Sequence, residues 1–112
     1  MTDHDLTEAQ LAELLERAAR YVNTTGDDEE LADALGEAVV LVNTHIGAAT
    51  VPDTVRTRAY LEAVSELYHR RNAPSGVAQF STPDGAAPMR VARDPLVGVY
   101  PLLRPYVGLG IA

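Results

Sequence analysis

Apolar residues recur along the first two-thirds of this chain at steps of three and four. Leu11, Leu14, Leu15, Ala18 and Val22 share one face of a first helix. Thr7 fits as its cap, with Gln10 three residues on to complete a capping box, and Asn23 to Gly26 supply the stop. Asp27 and Glu30 repeat the capping-box spacing ahead of a second stripe: Leu31, Leu35, Ala38, Val39, Val42 and Ile46, closed by Gly47. Gly36 lies inside this second helix at a cost of about 1 kcal/mol relative to Ala, which predicts close helix packing beside it. Pro52 suits the first turn of a third helix, where a missing N–H does no harm. Val55, Ala59, Ala63, Val64 and Leu67 form the face of that helix, widened by Tyr60, Leu61 and Tyr68. So broad a stripe has two readings, a central core helix or a helix shared with a subunit interface. The helix should end near Asn72, because Pro74 disfavours helix in the residue before it, and Arg70 and Arg71 in the last turn favour the negative end of the helix dipole.

The pattern changes after Pro74. Val77 to Ser81 alternates weakly, Pro83-Asp84-Gly85 is turn chemistry, and Met89 to Ala92 can return as a second strand. Residues 75–93 therefore read as a protruding β-hairpin or extended loop, an arm that needs a neighbour for its order because a lone hairpin is marginal in water. Asp94-Pro95 is a helix start, a cap followed by Pro at the first position. The apolar, aromatic stretch from Leu96 to Tyr106 follows, and Pro101 and Pro105 keep its helix short. The tail from Val107 to Ala112 carries no charged side chain and either docks on another chain or folds back on its own domain. The expected fold is mainly α: a small bundle of three main helices plus a short C-terminal helix, with the arm. All 112 residues belong to one domain, divided into a helical bundle (1–74), the arm (75–93) and the short helix with its tail (94–112).

Charge is divided unevenly along the chain. Residues 1–66 hold 14 acidic and 4 basic side chains, a net of −10, and residues 67–112 hold 2 and 5, a net of +3, which together give the overall −7. The acidic front repels phosphate, and it also serves as a solvated surface. All nine basic residues are Arg, which with the abundant Ala suggests a GC-rich genome. No cysteine is present, which excludes disulfides, thiolate catalysis and the usual zinc clusters. Apolar runs such as Ala38 to Val42 are far shorter than the roughly 20 residues that span a bilayer. Asp3, His4 and Asp5 stand where a signal peptide would be basic, so a soluble protein made in cytoplasm is expected.

Candidate chemistry is sparse. His4, His45 and His69 are widely separated, and the latter two sit near helix ends, where capping or surface roles prevail. Ser65, Ser75 and Ser81 lie in no nucleophile elbow. Gly108 and Gly110 precede no helix that could cradle phosphate. Glu62 and Glu66 are an i,i+4 pair that reads as a wet face rather than a metal site, and Asp27 to Glu30 with Asp33 lacks the glycine and ligand alternation of a calcium loop. Neither an enzyme nor a sequence-reading nucleic-acid protein is expected, and no cofactor or metal.

Four segments, taken in order, carry a resemblance. Val-Pro-Asp-Thr-Val at 51–55 opens the third helix and Glu-Leu-Tyr-His-Arg-Arg-Asn-Ala-Pro-Ser-Gly at 66–76 ends it. Ala-Arg-Asp-Pro-Leu-Val at 92–97 and Tyr-Pro-Leu-Leu-Arg-Pro-Tyr-Val-Gly at 100–108 follow. Together they resemble the head–tail connector, or adaptor, proteins of tailed phages and prophages of actinobacteria. The resemblance is carried by the second half; the first half matches by helical pattern alone. It implies a structural virion protein in the phage neck, assembled in the host cytoplasm. Copies would form a dodecameric ring that joins the portal to the stopper or tail terminator and extends the DNA channel, with DNA passing unbound. By analogy Arg70, Arg71, Phe80, Met89, Arg90 and Arg93 would contact neighbouring subunits, and Tyr106, Val107, Leu109 and Ile111 would dock on the portal. The rival reading is a small cytoplasmic helical binding module, regulator- or antitoxin-like, that stays monomeric or dimeric.

Overall fold

The computed structural model describes residues 6–72 and 94–107, and at 71 and 72 the backbone only. Four helices make up the described fold: α1 (Glu8–Tyr21), α2 (Glu29–Ile46), α3 (Asp53–Asn72) and α4 (Tyr100–Val107). The architecture is mainly α, three main helices and a short C-terminal one, as the periodicity predicts. The expected arm at 75–93 lies outside the described residues.

The predicted capping box of α1 is present. Thr7 Oγ1 accepts from Gln10 N at 3.1 Å, and Gln10 Oε1 accepts from Thr7 N at 2.9 Å. The buried face of α1 is Leu14, Ala18 and Ala19 with Val22 after it, so the expected stripe is rotated: Leu11 is 37% exposed and Ala19 takes its place. For α2 the cap is Asp28 rather than Asp27. Its carboxylate accepts from Glu30 N (2.9 Å) and Leu31 N (3.2 Å), whereas Asp27 accepts the Thr25 hydroxyl in the preceding turn. An acidic pair offers two capping candidates, and backbone geometry selects the one directly before the first helical residue. Leu31, Ala34, Leu35, Ala38, Val42 and Ile46 are buried as a continuous stripe. Gly47 ends the helix at φ +59, a conformation that favours glycine. Gly36 has no packing role within this fold: it is exposed, and a Cβ there would meet nothing within 4 Å.

The breadth of the apolar stripe on α3 is explained by its place in the fold. Ala59, Tyr60, Leu61, Ala63, Val64 and Leu67 are all buried, because α2 and α1 cover two of its sides and α4 a third. The core reading of that helix holds, and its apolar breadth is used within the chain. Pro52 stands immediately before the helix with its carbonyl accepting from Val55 N and Arg56 N, and the helix is described as far as Asn72.

Asp94 caps a turn through Leu96 N at 2.8 Å, but the regular helix begins only at Tyr100, later than the Asp-Pro signal suggests. Between them Val97 N and Val99 N bond back three residues, to Asp94 O and Leu96 O, so the chain runs in tight turns before it relaxes into α4. Pro101 sits in the first turn of α4, where no N–H is needed, and Pro105 lies inside the helix with no N–H for the carbonyl four residues back. Leu96 (7% exposed), Val99 and Leu103 (0%) fix this segment to the core.

Candidate functional site

Tyrosine hydroxyls tie the elements together. Tyr68 on α3 donates to Asp28 Oδ2 at 2.5 Å, and Thr24 donates to the same oxygen at 3.0 Å. The capping carboxylate of α2 thus also anchors α3 and the α1–α2 turn. The Tyr68 hydrogen bond above all holds the Asp28 carboxyl below the usual carboxylate range, and the same bond raises the Tyr68 hydroxyl. Tyr100 repeats the device on Asp94 (2.5 Å), lowering Asp94 and being raised by it. Arg70 and His45 add positive field that lowers Asp94 further. His45 stacks at a tilt on Tyr100, with ring centroids 4.9 Å apart, so this histidine marks where α4 meets the end of α2.

Glu62 and Glu66 are better engaged than a wet face implies. Glu62 accepts from Tyr21 at 2.6 Å and from Arg58 at 3.1 Å, and Glu66 pairs with Arg70 at 3.3 Å. The Glu62 bond raises the Tyr21 hydroxyl, and burial raises that of Tyr60, which donates to Asn43 at 2.7 Å. Each glutamate accepts through its Oε2 from a donor on its own fold, which makes both structural ties. No group of three or more His, Cys, Asp or Glu side chains able to hold a metal is found among the described residues.

Of the residues the resemblance assigns to interfaces, three have described side chains. Arg70 lies in the last turns of α3, a third exposed and paired with Glu66. Tyr106 is 39% exposed, and Val107 packs in part against the core, so its side chain is shared between the fold and any partner. Arg71 is placed in α3 by its backbone alone, and Phe80, Met89, Arg90, Arg93, Leu109 and Ile111 lie outside the described residues.

One feature of the fold has no counterpart in the sequence reading. A cleft of about 450 Å³ between α1 and the start of α3 is lined by Arg17 and Arg56 among others, and Arg56 Nε is buried there without a hydrogen-bond partner. The available signal was a single charge on an apolar stripe: Arg56 is three and four residues from Ala59 and Tyr60, both buried.

Comparison with protein-family models, curated proteins and solved structures finds no match. Among the described residues no helix is long and apolar enough to cross a membrane.

Proposed function

We propose that this chain is a structural subunit of a tailed-phage head–tail connector: copies form a ring in the virion neck, between the portal and the stopper or tail terminator, and extend the channel through which DNA passes. The role is structural and non-catalytic. One observation carries the reading. The segments that resemble the connector family, 51–76 and 92–108, are separated in sequence but share one unit wherever they are described. Val51 is buried at the head of α3, and Leu96, Val99 and Leu103 pack into the same core. Residues whose order suggests the family thus also form one spatial module, with exposed Val97 (41%) and Tyr106 at its surface and the uncharged sequence 108–112 directly beyond. A net charge of −10 over residues 1–66 is consistent with a channel that DNA slides through without adhesion.

A ring of this kind is built from heterologous contacts that close by rotation. Light-scattering mass across a concentration series, for the chain alone and mixed with its cognate portal protein, tests the proposal. A closed-ring mass in either sample is the expected result. Monomer or dimer in both, with no portal binding, would refute the connector reading and favour the small binding module.

A further inference from the structure

On the outer side of α2, Asp33, Gly36 and Val40 follow one another at steps of three and four, opposite the buried stripe of that helix. Val40 is 62% exposed, more than any other large hydrophobic residue among those described. Gly36 is a poor helix former that nothing in the fold requires, since a Cβ there would meet nothing within 4 Å. A glycine at such a point lets another backbone come close. α2 holds four carboxylates and no Arg or Lys. A second face has the complementary make-up. Val97 (41% exposed), Pro101 and Arg104 are turned outward from the segment that Leu96, Val99 and Leu103 fix to the core. Arg104 is the one charged side chain of residues 95–107. Neither Asp33 nor Arg104 takes part in an ion pair among the described residues.

We propose that these two faces meet between copies of this chain, with α4 of one copy lying antiparallel on α2 of the next. Arg104 then sits on Asp33, Pro101 over Gly36 and Val97 on Val40. The spacing supports this register. From Asp33 the steps forward are three and four, to Gly36 and Val40, and from Arg104 the steps back are three and four, to Pro101 and Val97. Seven helical residues span about 10 Å, so the charges and the valines coincide in one alignment. The complementary charges favour this pairing, whereas α2 against α2 would set carboxylates against carboxylates. Because the two faces lie on different elements, the contact is heterologous, and each copy keeps one free face for the next. The inference rests on the ring reading and names the contact that builds the ring.

Sedimentation velocity on the full-length protein, at concentrations up to about 1 mM, tests the contact. Wild type should self-associate. Gly36→Gln places a better helix former at an open position, so it should keep or raise the urea midpoint yet weaken self-association about tenfold or more. Arg104→Glu, at an exposed site, should weaken it as much. An equimolar mixture of the two variants should give a dimer and nothing larger. One partner supplies an intact α2 face and the other an intact C-terminal face, and the remaining faces are both spoiled. A mixture that stays monomeric, or that grows as wild type does, overturns the proposal. So does a Gly36→Gln protein with a lower urea midpoint and unchanged association, because another part of the same chain would then cover the stripe. Rings that form undisturbed by either variant overturn the contact and leave the connector reading standing. Association through these faces that yields no closed-ring mass, alone or with the portal, does the reverse. Wild type that stays monomeric throughout overturns the contact and leaves the connector reading to the portal mixture.

Discussion

The docking of α4 can be tested by one deletion of side-chain volume. Leu103 is fully buried, and with Leu96 and Val99 it holds residues 94–107 on α3. An eight-residue helix with Pro101 and Pro105 cannot be stable by itself, so α4 persists only through that burial. Leu103→Ala removes the central contact and leaves a cavity, which costs about 3 kcal/mol within the usual span for such changes. If the segment opens as a local unit, that energy corresponds to about a hundredfold increase in the opening equilibrium. Amide hydrogen exchange reads it directly. The amides of Tyr100, Leu102 and Leu103 bond to carbonyls within the segment and should exchange about a hundredfold faster. Amides within α2, from Ala38 to Val42, should be accelerated far less. Leu102→Ala, at a half-buried neighbour, is the control and should change exchange only a few-fold. Unchanged exchange at Tyr100 and Leu103 would refute the packing argument. Equal acceleration in α2 would show that α4 unfolds only with the whole bundle.

Other outcomes follow from the same geometry. Gly36→Ala should stabilise the protein by about 0.5–1 kcal/mol, seen as a higher urea midpoint, because the site is open, helical and exposed; Gly47→Ala should lower the midpoint because its φ is +59. Acid should unfold the protein through Asp28 and Asp94. Both are held low in the folded state, so their contribution is complete above the ordinary Asp value of about 3.9 and is lost as pH falls through the lower folded values. Tyr68→Phe and Tyr100→Phe remove the main cause of each shift and should flatten the acid limb of a midpoint-against-pH curve. Tyr21, Tyr60, Tyr68 and Tyr100 are raised, so the stability they contribute is present below about pH 10 and lost as pH rises through their folded values.

Helices were legible in the sequence because their signals are local. The Thr7–Gln10 box, the α2 stripe and the Pro52 boundary each depend on residues a turn or two apart, and α1, α2 and the start of α3 form where those signals fall. Choices between near-equivalent neighbours were not legible. Asp27 and Asp28 both satisfy a capping pattern, and only the path of the chain makes Asp28 the cap. Leu11 and Ala19 lie on adjacent lanes of α1, and which one is buried depends on how α1 is rotated against α3. Interactions that cross the fold left no periodic trace. Tyr68 meets Asp28 over 40 residues and Tyr21 meets Glu62 over 41, and no local rule pairs them. The cleft arginines belong to the same class: Arg17 and Arg56 are 39 positions apart, and only the packing of α1 on α3 brings them to one wall.

The tyrosines also isolate the residue best placed to meet a partner. Of the five in the chain, Tyr21, Tyr60, Tyr68 and Tyr100 each donate to a side-chain oxygen on this fold, at Glu62, Asn43, Asp28 and Asp94. Three of those bonds join separate elements, and the fourth closes the turns that lead into α4. Tyr106 has no such bond among the described residues and stands 39% exposed at the end of α4. A large amphipathic ring with a free hydroxyl is typical of residues that anchor protein interfaces. Tyr106→Ala should therefore change folding stability by no more than about 0.5 kcal/mol, as at other surface positions, while on the proposed connector function it should weaken portal capture in the light-scattering assay. A variant that assembles normally but unfolds at a clearly lower urea midpoint would place Tyr106 among the structural ties and remove it from the interface.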